Sequence, residues 1–169
     1  MNATLHTWNA ADAETALNAM LACCGSRHWA TAMVARRPIS SILELSAAAD
    51  EIWSTMEEAD WMEAFACHPR IGARKAVRAS AQSNEWSRQE QSSAERATER
   101  TSIGLSAGNE LYEHRFGFTY IVCATGKSAE ELLTILNRRL ARDRDAELRE
   151  AAEQQRQITQ IRLGKWLVE

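Results

Sequence analysis

Glycine and proline are scarce, seven and two in 169 residues, where an average protein carries roughly 12% of the two together. A sandwich or barrel needs a turn about every 8–12 residues, so this shortage argues against an all-β fold. No run of about 18 apolar residues occurs, and no membrane span is expected. Met1 to Asn9 has neither a basic segment nor an apolar core, which speaks against a secretory signal. Trp166-Leu167-Val168-Glu169 is no peroxisomal address. The expected location is the cytoplasm. The four cysteines, Cys23, Cys24, Cys67 and Cys123, lack the C-x-x-C spacing of zinc and redox sites. Cys23 and Cys24 are adjacent, a poor geometry for a disulfide, so four reduced and mostly buried thiols are expected. There is no P-loop and no dinucleotide fingerprint.

What remains is rich in alanine, glutamate, arginine and leucine, all good helix formers. Hydrophobic residues make up 45% and charged residues 25%, ordinary for a globular chain long enough to bury a core. The expected architecture is all-α: a single domain over residues 1–169, a bundle of about seven or eight helices with one irregular basic loop. Asn9 can cap a first helix to Cys24, closed by Gly25 in the left-handed position. Ser26 can cap a second, which ends near Pro38. Ser41 to Met56 and Glu58 to Ala66 carry apolar residues at helical spacing. Residues 68 to about 85 read as loop, with one helical turn near Lys75. From Ser87 a helix runs to Phe116, with a break near Gly104 or Gly108. Phe118 to Ala124 is a compact apolar run without a partner strand, read as buried extended chain. Ser128-x-x-Glu131 is a capping box, and a last helix covers Asp145 to Leu167.

The net charge is −3, and an acidic chain without a basic face speaks against nucleic acid as partner. Residues 67–127 carry nine basic against six acidic groups, while residues 1–66 carry three against nine. The local excess is Arg70, Arg74, Lys75 and Arg78. It is either a solvated loop or a positive potential beside the site of a small anion.

Two places can carry chemistry. His68 ends a helix, precedes Pro69 and opens the basic loop. Proline restricts the residue before it to extended backbone, so this imidazole is aimed by its main chain; a plain helix stop is the alternative. It has no second His, Cys or carboxylate at ligand spacing, so no metal site is expected. Ser87, Glu90 and Gln91 share one helical face. They read either as a capping box alone or as a hydroxyl, a carboxyl and an amide gathered at a helix start, where an anionic ligand is stabilised.

Together these pieces resemble a known family, the 2-oxo-4-hydroxy-4-carboxy-5-ureidoimidazoline (OHCU) decarboxylases. The resemblance covers nearly the whole chain. It rests on Cys24-Gly25-Ser26 with Trp29-Ala30, Arg37-Pro38, Trp61-Met62-Glu63-Ala64-Phe65 and His68-Pro69-Arg70-Ile71-Gly72. It continues through Trp86-Ser87-x-x-Glu90-Gln91, Arg115-Phe116-Gly117-Phe118, Ile121 to Ser128, Arg139-Leu140, Glu147-Leu148 and Ile161-Arg162-Leu163. The chain departs from it at Arg142-Asp143 and from Ala73 to Glu85. The resemblance implies an all-helical, commonly homodimeric enzyme that uses no metal or organic cofactor. It implies a carboxy-lyase of urate degradation whose small-molecule product is (S)-allantoin. Its catalytic residues map onto His68 and Glu90, and its substrate contacts onto Pro69, Ser87, Gln91, Arg162 and the main chain near Val122. The competing expectation is a non-catalytic helical interaction module, in which His68-Pro69 stops one helix and Ser87 and Glu90 start another.

Overall fold

A computed structural model describes residues 2–73 and 76–169. Among them are nine α-helices and one short 3-10 turn, with no strand. The helices are α1 (Ala3–Ala10), α2 (Ala13–Cys23), α3 (Arg27–Ala35), α4 (Ile42–Ser54), α5 (Glu58–Phe65), α6 (Ala81–Glu90), α7 (Glu99–Phe116), α8 (Ala129–Arg139) and α9 (Arg144–Trp166). The chain divides into two compact units: residues up to Ala64 with Arg156–Glu169, and Phe65–Gln155.

In the first unit the expected opening helix is two. Asn2 caps α1 and Asp12 caps α2 by accepting from the Thr15 N–H at 2.9 Å. Asn9 is no cap. Its amide clamps Ile39, donating to the carbonyl at 2.7 Å and accepting from the N–H at 3.0 Å. Gly25 is not left-handed either, since the glycines with positive φ are Gly72, Gly117 and Gly126. Ser26 and Ser41 cap α3 and α4 as their sequences predict. Leu45, Ala48, Ala49, Ile52 and Trp53 form the buried stripe of α4, and Trp29 reaches it through a 3.1 Å bond from its indole N–H to the Ala49 carbonyl. Residues 156–166 of α9 belong here, where Arg156 and Gln160 both bond Asp50.

In the second unit the expected helix from Ser87 to Phe116 is two helices. Ser80 caps α6 seven residues earlier, accepting from Ser83; α6 stops at Glu90, and α7 begins after Thr98. Apart from Trp86 this helix is almost wholly polar, so no apolar period announces its start in the sequence. The α7 helix is unbroken through Gly104 and Gly108. Those glycines mark close approach to α8: a Cβ on Gly108 would lie 2.6 Å from a Leu136 methyl, and one on Gly104 2.9 Å from a Leu133 methyl. Leu136 is fully buried and has little room to yield. Gly108→Val is therefore expected to lower unfolding free energy by about 2–3 kcal/mol through overpacking, read as a shifted urea midpoint; an unchanged midpoint would contradict the packing.

Gly117 ends α7 in the left-handed conformation, φ 82°, where a Cβ would be strained. The run 118–124 beyond it is buried and irregular, apart from half-buried Thr119. Tyr112, Phe116, Phe118 and Tyr120 pack as one aromatic cluster with centroid distances of 4.7 to 6.2 Å. Ser128 and Glu131 form the reciprocal capping box of α8. Asp143, one of the departures from the family pattern, accepts from the Ala146 N–H at 2.8 Å at the start of α9. That bond holds its carboxyl below the usual range.

Candidate active site

All the predicted site residues except Arg162 belong to the second unit. His68 follows the end of α5 and is half-buried, and Pro69 is buried. The His68 N–H of the main chain closes a turn on the Phe65 carbonyl at 3.1 Å. Its imidazole Nε2 lies 2.7 Å from Oε1 of Gln155, a fully buried residue of α9.

Ser87 and Glu90 lie one turn apart on the buried face of α6, with Ser83 and Trp86. They do not start this helix, because Ser80 does. Their three-residue spacing is no capping box, and they stand in the last two turns of the helix, not at its N-terminus. Glu90 is buried, only 7% exposed. Gln91 follows the last turn, and its Oε1 accepts from the Gly72 N–H at 2.9 Å. That bond ties the end of α6 to the loop that His68 opens.

The run through Val122 is anchored on both sides. Arg139 Nη1 donates to the Ile121 carbonyl at 2.6 Å, and the Cys123 N–H donates to Gln154 Oε1 at 2.8 Å. Arg139 is itself held by Glu147, Nε to Oε1 at 2.7 Å, with the Tyr112 hydroxyl donating to the same oxygen. Burial opposes the Arg139 charge, but the Glu147 carboxylate together with the Tyr112 and Tyr120 hydroxyls outweighs it and raises the pKa. Burial likewise pushes the Tyr112 hydroxyl upward.

Gln154 and Gln155 are thus neighbours on α9, one bonded to the chain beside Val122 and the other to the His68 imidazole. Neither figured among the residues predicted from sequence. A signal was present: Leu148, Ala151, Ala152, Gln155, Ile158, Thr159 and Arg162 are all buried and keep one helical phase. Polar residues in phase with an apolar stripe are buried for a reason.

One basic group of the loop is neutralised by a partner. Arg70 forms a two-pronged pair with Glu113 at 2.8 and 2.6 Å, and Arg78 is exposed. Arg74 and Lys75, with the helical turn expected there, lie outside the described residues. Asn84 of α6 holds the chain at Ala76, accepting from its N–H at 2.8 Å. A cleft of about 600 Å³ between this loop and α7 is lined by Arg70, Gly72, Arg88, Gln91, Ser106 and Asn109 among others. Its arginines are paired, Arg88 with Glu85 at 2.6 Å. Of the predicted residues it takes in Gln91, whereas Ser87 and Glu90 belong to the buried face of α6.

Arg162 is a buried residue of the first unit. Its charge acts there on Cys23, whose thiol is nevertheless pushed far up by burial. None of the four cysteines is in a disulfide; Cys67 is half-buried and the other three are buried. Among the described residues no three His, Cys, Asp or Glu gather as a metal site, and no helix is long and apolar enough to cross a membrane.

The family profile described as OHCU decarboxylase matches residues 9–164. Over 144 residues the chain is 34% identical to the uric acid degradation bifunctional protein TTL of Arabidopsis thaliana, covering 85% of this chain and 44% of that protein. It thus spans less than half the length of that relative. It is 27% identical over 134 residues to 2-oxo-4-hydroxy-4-carboxy-5-ureidoimidazoline decarboxylase of Amia calva, covering 79% and 77% of the two chains. Among solved structures, an OHCU decarboxylase crystallised in the presence of (S)-allantoin superposes with a TM-score of 0.78 at 32% identity, covering 90% of this chain and 99% of that one. An (S)-allantoin synthase with 17% identity and a TM-score of 0.71, over 96% and 53% of the chains, shares the fold. The buried carboxyl on α6, the anchored imidazole and the clamped apolar run therefore sit in a chain that belongs to the OHCU decarboxylase family.

Proposed function

We propose that this chain is a carboxy-lyase that converts 2-oxo-4-hydroxy-4-carboxy-5-ureidoimidazoline to (S)-allantoin, without metal or organic cofactor, in urate degradation. Support comes first from the family match and from the relatives named for this reaction. The observation that supports it is that one unit holds both an imidazole bonded to a buried amide and a buried carboxyl on a helix that Ser80 caps.

The chemistry asks little of the protein. When the bond to the carboxylate breaks, its electron pair moves into the neighbouring ring C=N, so the ring is its own electron sink. Orientation, charge management and one proton remain to be supplied. His68 accepts the substrate hydroxyl proton and so favours departure of CO2. Glu90 delivers a proton to the adjacent ring carbon from one side, which sets the chirality. Ser87 binds the ureido arm. Gln91, its oxygen engaged by Gly72, offers its NH2 to a ring carbonyl. Pro69 and the main chain at Val122 bound the ring. Arg162 is the remaining substrate contact that the resemblance implies. The enzyme is a cytoplasmic homodimer comprising one domain in this reading.

Freshly prepared substrate is expected to give dextrorotatory allantoin faster with the protein than without it, followed by circular dichroism. Equal rates would sink the assignment. The rival interaction module is tested by millimolar allantoin, which should raise the melting temperature if this is the product site and leave it unmoved if it is not.

A further inference from the structure

We infer that Gln155 fixes the tautomer of His68, keeping the ring proton on Nε2 so that the basic lone pair stands on Nδ1. The role given to Nδ1 rests on the proposed decarboxylation; the tautomer itself does not. A carboxamide oxygen can only accept, and Gln155 Oε1 is 2.7 Å from Nε2. A neutral imidazole whose Nε2 donates therefore accepts through Nδ1. Gln155 is suited to the task. It is fully buried and sits on a helix instead of a loop. The preceding residue, Gln154, is pinned between the Cys123 N–H at 2.8 Å and Glu150 Oε1 at 3.1 Å. At the other end of the histidine, Pro69 restricts the His68 backbone. With the main chain restricted and Nε2 anchored, the direction of Nδ1 is set, as a positioned base requires. Gln155 is a positioning residue: it acts on the substrate through His68. The opposite orientation, carboxamide NH2 toward the ring, would place the proton on Nδ1.

Nitrogen-15 NMR of histidine-labelled protein decides between them. Spectra are recorded at about pH 8, above the usual imidazole range, with His68→Gln identifying the His68 signals among the four histidines. The expected pattern is a protonated Nε2 and an unprotonated Nδ1; the reverse pattern overturns the inference, and no variant fold enters the wild-type measurement. Kinetics supply the second arm. Gln155→Leu should lower kcat by about 10- to 100-fold, the usual cost of losing a histidine's outer partner, with KM within about twofold. Gln155→Glu, which keeps an acceptor on Nε2, should restore most of that loss. A Gln155→Leu enzyme with unchanged kcat, or a Gln155→Glu enzyme no better than it, also overturns the inference. A wild-type protein without decarboxylase activity would refute the proposed function and still leave the tautomer to be read from the spectrum.

Discussion

His68→Ala is expected to lower decarboxylation by about 10²–10⁴-fold, the usual range for a positioned acid or base, equivalent to roughly 3–5 kcal/mol of barrier. Far-UV circular dichroism should not change. His68 lies outside α5, is half-buried, and makes its main-chain bond to Phe65 irrespective of its side chain. Glu90→Gln should cost a comparable factor, since it keeps the size and polarity of a buried side chain and removes the acid. The two variants differ in their products. A reaction that still loses CO2 at His68 but lacks directed protonation yields racemic allantoin, so Glu90→Gln product should lose optical activity while His68→Ala product, however slow, keeps it. Either variant turning over within about threefold of wild type would remove that residue from the catalytic pair.

The second large effect concerns stability. Arg139→Met should destabilise the protein by about 3–5 kcal/mol, the range seen when one partner of a buried ion pair is removed. Arg139 is 1% exposed and Glu147 not at all, so Glu147 would be left as a buried charge with only the Tyr112 hydroxyl on Oε1 and no partner on Oε2 among the described residues. The guanidinium also lies 5.0 Å over the Tyr120 ring and bonds the Ile121 carbonyl. Its loss therefore frees the segment preceding Val122. Against a total stability of about 5–15 kcal/mol, the shift should be plain in urea unfolding. The double variant Arg139→Met with Glu147→Leu should recover much of the loss, because an apolar pair leaves no unpaired charge. A single variant that unfolds like wild type would show that the pair contributes nothing to the fold.

The legible parts of the fold were those whose signals are local. Ser26, Ser41 and the Ser128–Glu131 box cap the helices their spacing predicts, because a cap is decided within four residues. The apolar stripe of α4 was equally plain. The apolar run after Gly117 is chain without a strand partner, as its isolation in the sequence suggests. Asn9 misled because its amide can satisfy a helix start or a distant backbone, and Ile39 is 30 residues away. Ser87 misled because its three-residue spacing to Glu90 mimics a box in the middle of a helix. The earlier cap, Ser80, lies in a stretch of small polar residues with no period to announce it.

For the site, the sequence by itself determined the chemical inventory. It supplied an imidazole aimed by the following proline, a carboxyl and an amide in adjacent positions, and an apolar segment set off by glycines. It also determined the helical class, because so few chain breakers leave no room for frequent turns. Only the tertiary structure decided which groups are held and by what. It moved Ser87 and Glu90 from a helix start to a buried face. It neutralised Arg70 with Glu113, and it gave Gln154 and Gln155 their anchoring contacts. Those outcomes depend on partners 31 to 87 residues apart. Hydrogen bonds and burial at such separations arise from helix packing, and no local spacing encodes them.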